Sequence, residues 1–202
     1  MAVPDHSRIG CVILAAGNAC RFGSNKLAAR WDGKALFLRS LEAIPKELVT
    51  QTVVVSQYQE VLNAAQDFSF TAIRNEHPDF GISYSIRLGL GALENCDAAL
   101  FQVSDQPLLR RESVAELIRF SRRHPDKIAA LGHGGVRGNP CLFPARFFPE
   151  LLALEEDHGG STVIRRHPEA LALLEVSALQ LFDVDTPEAL HQLHQAADQK
   201  KQ

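Results

Sequence analysis

Two cations close a segment that reads as a phosphate site. In Val12-Ile13-Leu14-Ala15-Ala16-Gly17-Asn18-Ala19-Cys20-Arg21-Phe22-Gly23-Ser24-Asn25-Lys26, an apolar run gives way to small residues, and Arg21 and Lys26 follow within one loop. The run reads as a buried parallel strand. Ala15, Ala16 and Gly17 let the backbone turn and approach a ligand closely. Free backbone N–H groups beside two cations suit phosphate oxygens, so the segment calls for a nucleotide or similar polyphosphate. A Walker loop is excluded, because five residues separate Gly17 from Gly23 and Ser24 follows. The dinucleotide fingerprint is absent, because Gly17 has no glycine two residues later. The lesser alternative for the segment read alone is an ordinary strand and turn with exposed cations.

Carboxylates and small polar residues supply the rest of a site. Ser104-Asp105-Gln106-Pro107 follows an apolar run, at a strand's carboxyl end, where ligands of open α/β sheets bind. Asp105 there suits Mg²⁺, which takes carboxylates together with phosphate oxygens; by itself it is also an ordinary turn or capping aspartate. Phe182-Asp183-Val184-Asp185-Thr186-Pro187 offers two further carboxylates, and strand alternation would let only one face Asp105. Gly81, Ser83 and Ser85 stand at a helix start that suits a ribose or base, although Ser83 could serve simply as the N-cap. Arg137-Gly138-Asn139-Pro140 reads as a tight turn whose arginine and amide could meet a substrate or only solvent. His191 and His194 could share a metal, but with no third ligand nearby a solvated helix face is favoured. Of the cysteines, Cys11 and Cys141 read as inert core thiols, and Cys20 as a small loop residue.

These residues need a sheet to gather them. Strand and helix patterns alternate, which predicts an α/β fold: a Rossmann-like, mostly parallel sheet with helices on both faces. Strands are expected near 10–15, 52–56, 70–74, 97–103, 128–131, 141–143, 174–176 and 181–184. Helices are expected near 36–44, 59–65, 83–93, 113–122, 145–154 and 161–166. A last helix should open with Thr186 as N-cap and Pro187 at its first position. No repeat or linker divides the 202 residues, so one domain over 1–202 is expected, with 199–202 as a disordered tail.

Composition narrows the partners. The chain is 46% hydrophobic and 22% charged, enough apolar material for a full core. A net charge of -3 without a basic run argues against nucleic acid. No stretch approaches a membrane span of ~20 apolar residues, and the first residues lack a signal peptide's apolar core. The absence of a C-x-x-C pair fits a reducing, cytoplasmic setting.

Taken together, four ordered blocks resemble the nucleotidyltransferases of the molybdenum cofactor guanylyl- and cytidylyltransferase type. Leu14-Ala15-Ala16-Gly17, Arg21-Phe22-Gly23 and Lys26 are similar to that family's L-A-A-G-x-x-x-R-[MF]-G-x-x-K loop. Ser104-Asp105-Gln106-Pro107 resembles its metal loop, and Gly138-Asn139-Pro140 and Asp183-Val184-Asp185-Thr186-Pro187-Glu188 resemble its later blocks. The cytidylyltransferase branch is the better match, because Ala16 stands where guanylyltransferases usually carry a second glycine. The likeness spans about residues 9 to 192, and Gly159-Gly160-Ser161 departs from it by lacking an expected arginine. The resemblance implies a nucleotide-diphospho-sugar transferase fold, transfer of CMP from CTP to a molybdopterin phosphate, and release of pyrophosphate. It implies transient contact with a xanthine dehydrogenase-type enzyme. It assigns Arg21 and Lys26 to the triphosphate, Asp105 and Asp185 to Mg²⁺, and Leu14, Ala15, Ala16, Gly17, Gly81 and Ser85 to the nucleoside.

Overall fold

A seven-stranded sheet organises the chain. The structure is a computed structural model that describes residues 8–17 and 26–199. The strands are β1 (Ile9–Ala15), β2 (Arg30–Trp31), β3 (Lys34–Ala35), β4 (Gln51–Ser56), β5 (Thr71–Arg74), β6 (Ala98–Val103), β7 (Ile128–His133), β8 (Val136–Pro144) and β9 (Leu171–Glu175). The α-helices are α1 (Leu36–Glu42), α2 (Gln59–Asp67), α3 (Ile82–Gly91), α4 (Arg111–Arg123), α5 (Phe148–Leu152), α6 (Gly160–Arg166) and α7 (Pro187–Gln199).

The sheet order is β5-β4-β1-β6-β8-β7-β9, and β2 and β3 form a separate hairpin. β1 pairs in parallel with both β4 and β6; β4–β5 and β7–β9 are parallel too, and only β8 runs antiparallel to its neighbours β6 and β7. The chain moves outward from β1 in one direction through β4 and β5, then returns to β6 on its other side. That reversal opens a crevice at the carboxyl ends of the strands.

Alternation along each strand feeds two cores. Ile9, Cys11 and Ile13 of β1 face one way, with Val54 and Leu100, and pack under Leu41 of α1, Val61 of α2 and Leu117 of α4. Val12, Val53, Val55 and Phe101 face the other way, under Ile86 and Leu90 of α3, Leu151 of α5 and Val163 of α6. This is why the central strands read as continuous apolar runs: both faces are covered by helices. A third, smaller cluster joins Leu36 at the start of α1 to Val184 and to Leu193 of α7.

Three local expectations are corrected. Residues 136–144 form one long strand, so Arg137-Gly138-Asn139-Pro140 lies within β8 rather than in a turn. The turn is Gly134-Gly135, both at positive φ (57° and 78°) where glycine carries no steric penalty. The β7–β8 register shifts between Ala130 and Gly132, and Pro140, which has no N–H to give a ladder, sits at that irregularity. Residues 181–184 are not a strand: a 3-10 turn (Ala178–Leu181) leads into irregular backbone. The segment expected as one helix over 145–154 is a 3-10 turn followed by the five-residue α5. At α7, Thr186 caps as expected, its Oγ1 accepting from the Ala189 N–H at 3.2 Å. His191 and His194 are exposed on α7, and Cys11 and Cys141 are buried.

Candidate functional site

The crevice contains a cavity of about 460 Å³. Its floor is the end of β1 and the turn beyond it, Leu14 to Gly17; one wall is Gly81, Ile82 and Ser85 at the start of α3; another is Val103, Ser104 and Asp105 at the end of β6; and Lys26 and Leu27 close it. Leu14, Ala15, Ala16, Gly17, Gly81, Ser85, Lys26 and Asp105, singled out in the sequence, therefore surround one space. Arg21, Cys20 and Gly23 lie outside the described residues.

Lys26 sits between two carboxylates far away in sequence. Its Nζ donates to Asp105 Oδ2 at 2.7 Å and to Asp185 Oδ1 at 2.8 Å. Desolvation pushes the Lys26 pKa down, but the attraction of Asp105 and Asp185 outweighs it and the net shift is upward. The ammonium is thus held charged.

Asp185 reaches the site because its segment is stitched to the loop after β6. The Val184 N–H donates to the Asp105 carbonyl at 2.9 Å, Gln106 Nε2 donates to Asp183 Oδ1 at 2.9 Å, and the Arg110 N–H donates to Gln180 Oε1 at 3.3 Å. Asp183 and Asp185 consequently meet different partners, Gln106 and Lys26. Strand alternation is not the cause, since the segment is no strand.

The donor set suits a hard cation. Asp105 Oδ1 is buried and has no hydrogen-bond partner, and Asp185 is exposed with its carboxylate on the same ammonium. Among the described residues no three His, Cys, Asp or Glu gather into a preformed metal cluster. Two carboxylates are what a Mg²⁺ ion requires when phosphate oxygens and water complete its shell.

Gly81 shapes the α3 wall. Its φ is +81°, and a Cβ there would lie 2.3 Å from the Glu156 backbone, while the Ser83 N–H donates to the Glu156 carbonyl at 3.1 Å. The close approach of residues 156–157 requires glycine. Gly81→Ala is expected to cost roughly 2 kcal/mol from backbone strain and crowding, read as a lower denaturation midpoint with weakened nucleotide binding; an unchanged midpoint would contradict it. Sequence reasoning missed Asp157 and Pro78, which also line the cavity. Asp157 stands in a plain acidic loop whose contact with Gly81 only the fold reveals.

A smaller cavity of about 140 Å³ adjoins the first, sharing Leu14, Ile82 and Val103, and is lined further by Arg137, Asn139, Cys141 and Ser161. Arg137 Nη1 donates to the Gly138 carbonyl and to Cys141 Sγ, both at 3.3 Å. The long β8 strand is what carries Arg137 and Asn139 into this wall.

A mostly parallel seven-stranded sheet with helices on both faces is the architecture of the nucleotide-diphospho-sugar transferase fold. Residues 11–171 match the MobA-like NTP transferase domain, and the chain belongs to that family. Among curated relatives, purine catabolism protein PucB of Bacillus subtilis (strain 168) is 26% identical over 198 residues, covering 92% of this chain and 95% of PucB. A probable molybdenum cofactor guanylyltransferase of the same organism is 25% identical over 142 residues, covering 69% of each chain. Rv0371c of Mycobacterium tuberculosis H37Rv, solved in complex with manganese, superposes with a TM-score of 0.77 at 18% identity, covering 94% of this chain and 99% of that one. CMP:2-keto-3-deoxy-manno-octonic acid synthetase, solved with CTP, superposes at 0.75 with 17% identity, covering 96% and 100%. The family makes the chain a nucleotidyltransferase. Among the described residues no helix is long and apolar enough to cross a membrane.

Proposed function

We propose that the chain transfers CMP from CTP to the phosphate of a molybdopterin-type acceptor and releases pyrophosphate. The observation that carries this reading is Lys26, poised between Asp105 and Asp185 at the edge of a nucleotide-sized cavity. The nucleoside lies against Leu14, Ala15, Ala16 and Gly17 and against Gly81 and Ser85. An acceptor phosphate oxygen attacks the α-phosphorus; the new P–O bond forms as the bond to the bridging oxygen breaks, and that oxygen leaves with pyrophosphate. A phosphate monoester is its own nucleophile, so catalysis is positioning plus neutralisation of charge.

Lys26 does the neutralising. When the triphosphate enters, its ammonium passes from the carboxylates to the phosphate oxygens, with Arg21 assigned to the same role. Asp105 and Asp185 would hold Mg²⁺, which supplies Lewis-acid polarisation of the phosphoryl oxygens. The orphaned Asp105 Oδ1 supports that assignment, as does the manganese bound by a protein of the same fold. The acceptor's phosphate end fits the smaller cavity, where Arg137 offers a cation and Asn139 an amide. The product would pass on to an enzyme of the xanthine dehydrogenase type.

Ala16 supports cytosine. Ala16 lines the cavity and is only 4% exposed, and a methyl there in place of a hydrogen leaves less room for a larger base. The second reading is guanylyl transfer, favoured by the relative named as a molybdenum cofactor guanylyltransferase. Pyrophosphate release, measured with CTP, GTP and ATP with and without molybdopterin, separates the two. Release is expected only with acceptor present and fastest with CTP. GTP used tenfold better would overturn the cytidylyl assignment, and turnover with a different phosphorylated metabolite alone would overturn the acceptor.

A further inference from the structure

Four successive backbone carbonyls at the nucleotide turn are each held by a side chain. Leu14 O accepts from Ser104 Oγ at 3.2 Å, Ala15 O from Ser56 Oγ at 2.8 Å, Ala16 O from Gln57 Nε2 at 2.9 Å, and Gly17 O from Tyr58 Oη at 3.2 Å. Three of the donors are consecutive, and each stands 41 residues after its acceptor. That offset is the β1–β4 register, in which Ala15 lies opposite Ser56. Past the ends of both strands the pairing therefore continues, carried by side chains where the backbone ladder has stopped. Ser56 Oγ also accepts from the Tyr58 N–H at 3.1 Å, which locks the donor segment to itself.

The arrangement fixes which way the turn's peptides face. In a planar trans peptide the C=O and N–H point in opposite directions. Gln57 and Tyr58 are not part of the cavity wall, whereas Ala16 and Gly17 are. Drawing the Ala16 carbonyl toward Gln57 turns the Gly17 N–H the other way. Left unheld, the Ala16 and Gly17 carbonyls, which lie past the end of β1, would compete for water or for the ligand's own donors.

We propose that Gln57 and Tyr58 are positioning residues of the nucleotide site: they preorganise the Ala15–Gly17 backbone to receive a nucleoside triphosphate. The inference rests on the nucleotide reading of the main cavity and adds two residues to it that stand behind the cavity wall. Because the bonds exist before the ligand arrives, their loss raises the cost of ordering the turn on binding. The loss falls equally on ground and transition states, so it moves KM and leaves kcat nearly untouched.

The test uses the full chain with Tyr58→Phe, Gln57→Met and the double variant. Both substitutions keep the side chain's bulk, and Tyr58→Phe keeps the ring's packing against the core. Equilibrium titration with CTP in the presence of Mg²⁺, KM and kcat from pyrophosphate release, and the thermal midpoint are measured for each. Each single variant is expected to weaken CTP binding and raise KM about fivefold, the effect of one net hydrogen bond, with kcat changed less than about twofold. The double variant should lose roughly the product of the two, and the single variants suffice if it folds poorly. Variants that bind CTP like the wild type, and lose only thermal stability, would overturn the proposal while leaving the nucleotide reading intact. A wild-type chain that binds no nucleoside triphosphate would overturn both.

Discussion

Lys26→Ala is expected to lower pyrophosphate release about a hundredfold at saturating nucleotide, because one preorganised cationic contact to developing phosphate charge is worth roughly 3 kcal/mol. The ion pairs explain why the effect falls on the chemical step. The ammonium is only 16% exposed at the side chain and already desolvated, so little reorganisation is needed when phosphate oxygens replace carboxylates as its partners. The net upward shift of its pKa keeps it charged throughout the neutral range. Removing it also leaves Asp105 and Asp185 without their shared counter-charge. The variant's thermal midpoint without ligand should therefore drop, and added Mg²⁺ should restore part of the loss by supplying that charge. Lys26→Arg should recover only part of the rate, since a planar fork cannot reproduce a compact ammonium between two carboxylates. The measurement is single-turnover pyrophosphate release. Near-normal release from Lys26→Ala would remove Lys26 from the phosphate site.

The parallel sheet was legible because burial on both faces leaves a plain signature. Runs such as Cys11–Ala15, Thr52–Val55 and Ala98–Val103 carry almost no polar residue, and only a strand covered by two helical layers permits that. The cavity was legible for a related reason. Small residues after β1, a carboxylate after β6 and glycine before α3 all stand at carboxyl ends of strands or at a helix start, and topology brings those points together. The misses share one cause as well. Gly138-Asn139-Pro140 carries three turn-forming residues, yet the residues on either side are paired, Arg137 with Gly132 and Cys141 with Ala130 and Phe101, so the three are carried through β8 as an irregularity and the real turn lies at Gly134-Gly135. Leu181–Val184 alternates like a strand, but its hydrogen bonds go to the loop after β6 rather than to a neighbouring strand. Gln57 and Tyr58 gave no signal at all, because an amide and a phenol beside a strand are ordinary until their 41-residue offset from the turn is seen.

Asp105→Asn and Asp185→Asn are each expected to abolish most turnover and to shift the Mg²⁺ response to higher concentration, whereas Asp183→Asn should keep both. A neutral amide is a poor partner for a hard dication. Asp105 should show the larger effect. Its side chain is 19% exposed against 55% for Asp185, so less water is at hand to replace the lost charge. Asp183 differs in kind. Its carboxyl pKa is pushed up to about 6 from 3.8, first by desolvation within the packed loop and then by repulsion from Asp105. Donation from Gln106 offsets part of the rise, Asp185 adds a weaker repulsion, and attraction to Lys26 offsets a little more. The residue as a whole lies at the surface, so water screens the effect. The folded chain then holds the Asp183 proton more tightly than the unfolded chain does. Stability accordingly falls as pH rises from about 4 through about 6, and the penalty is complete above that window. Asp183→Asn removes the charge but keeps an oxygen for Gln106 to donate to. Without metal, the variant should be more stable than the wild type at pH 7, and the difference should close below pH 4. Denaturation midpoints across that range and Mg²⁺ titrations of the three variants read both halves of the prediction. A normal Mg²⁺ response in Asp185→Asn together with a lost one in Asp183→Asn would exchange the roles of the two aspartates.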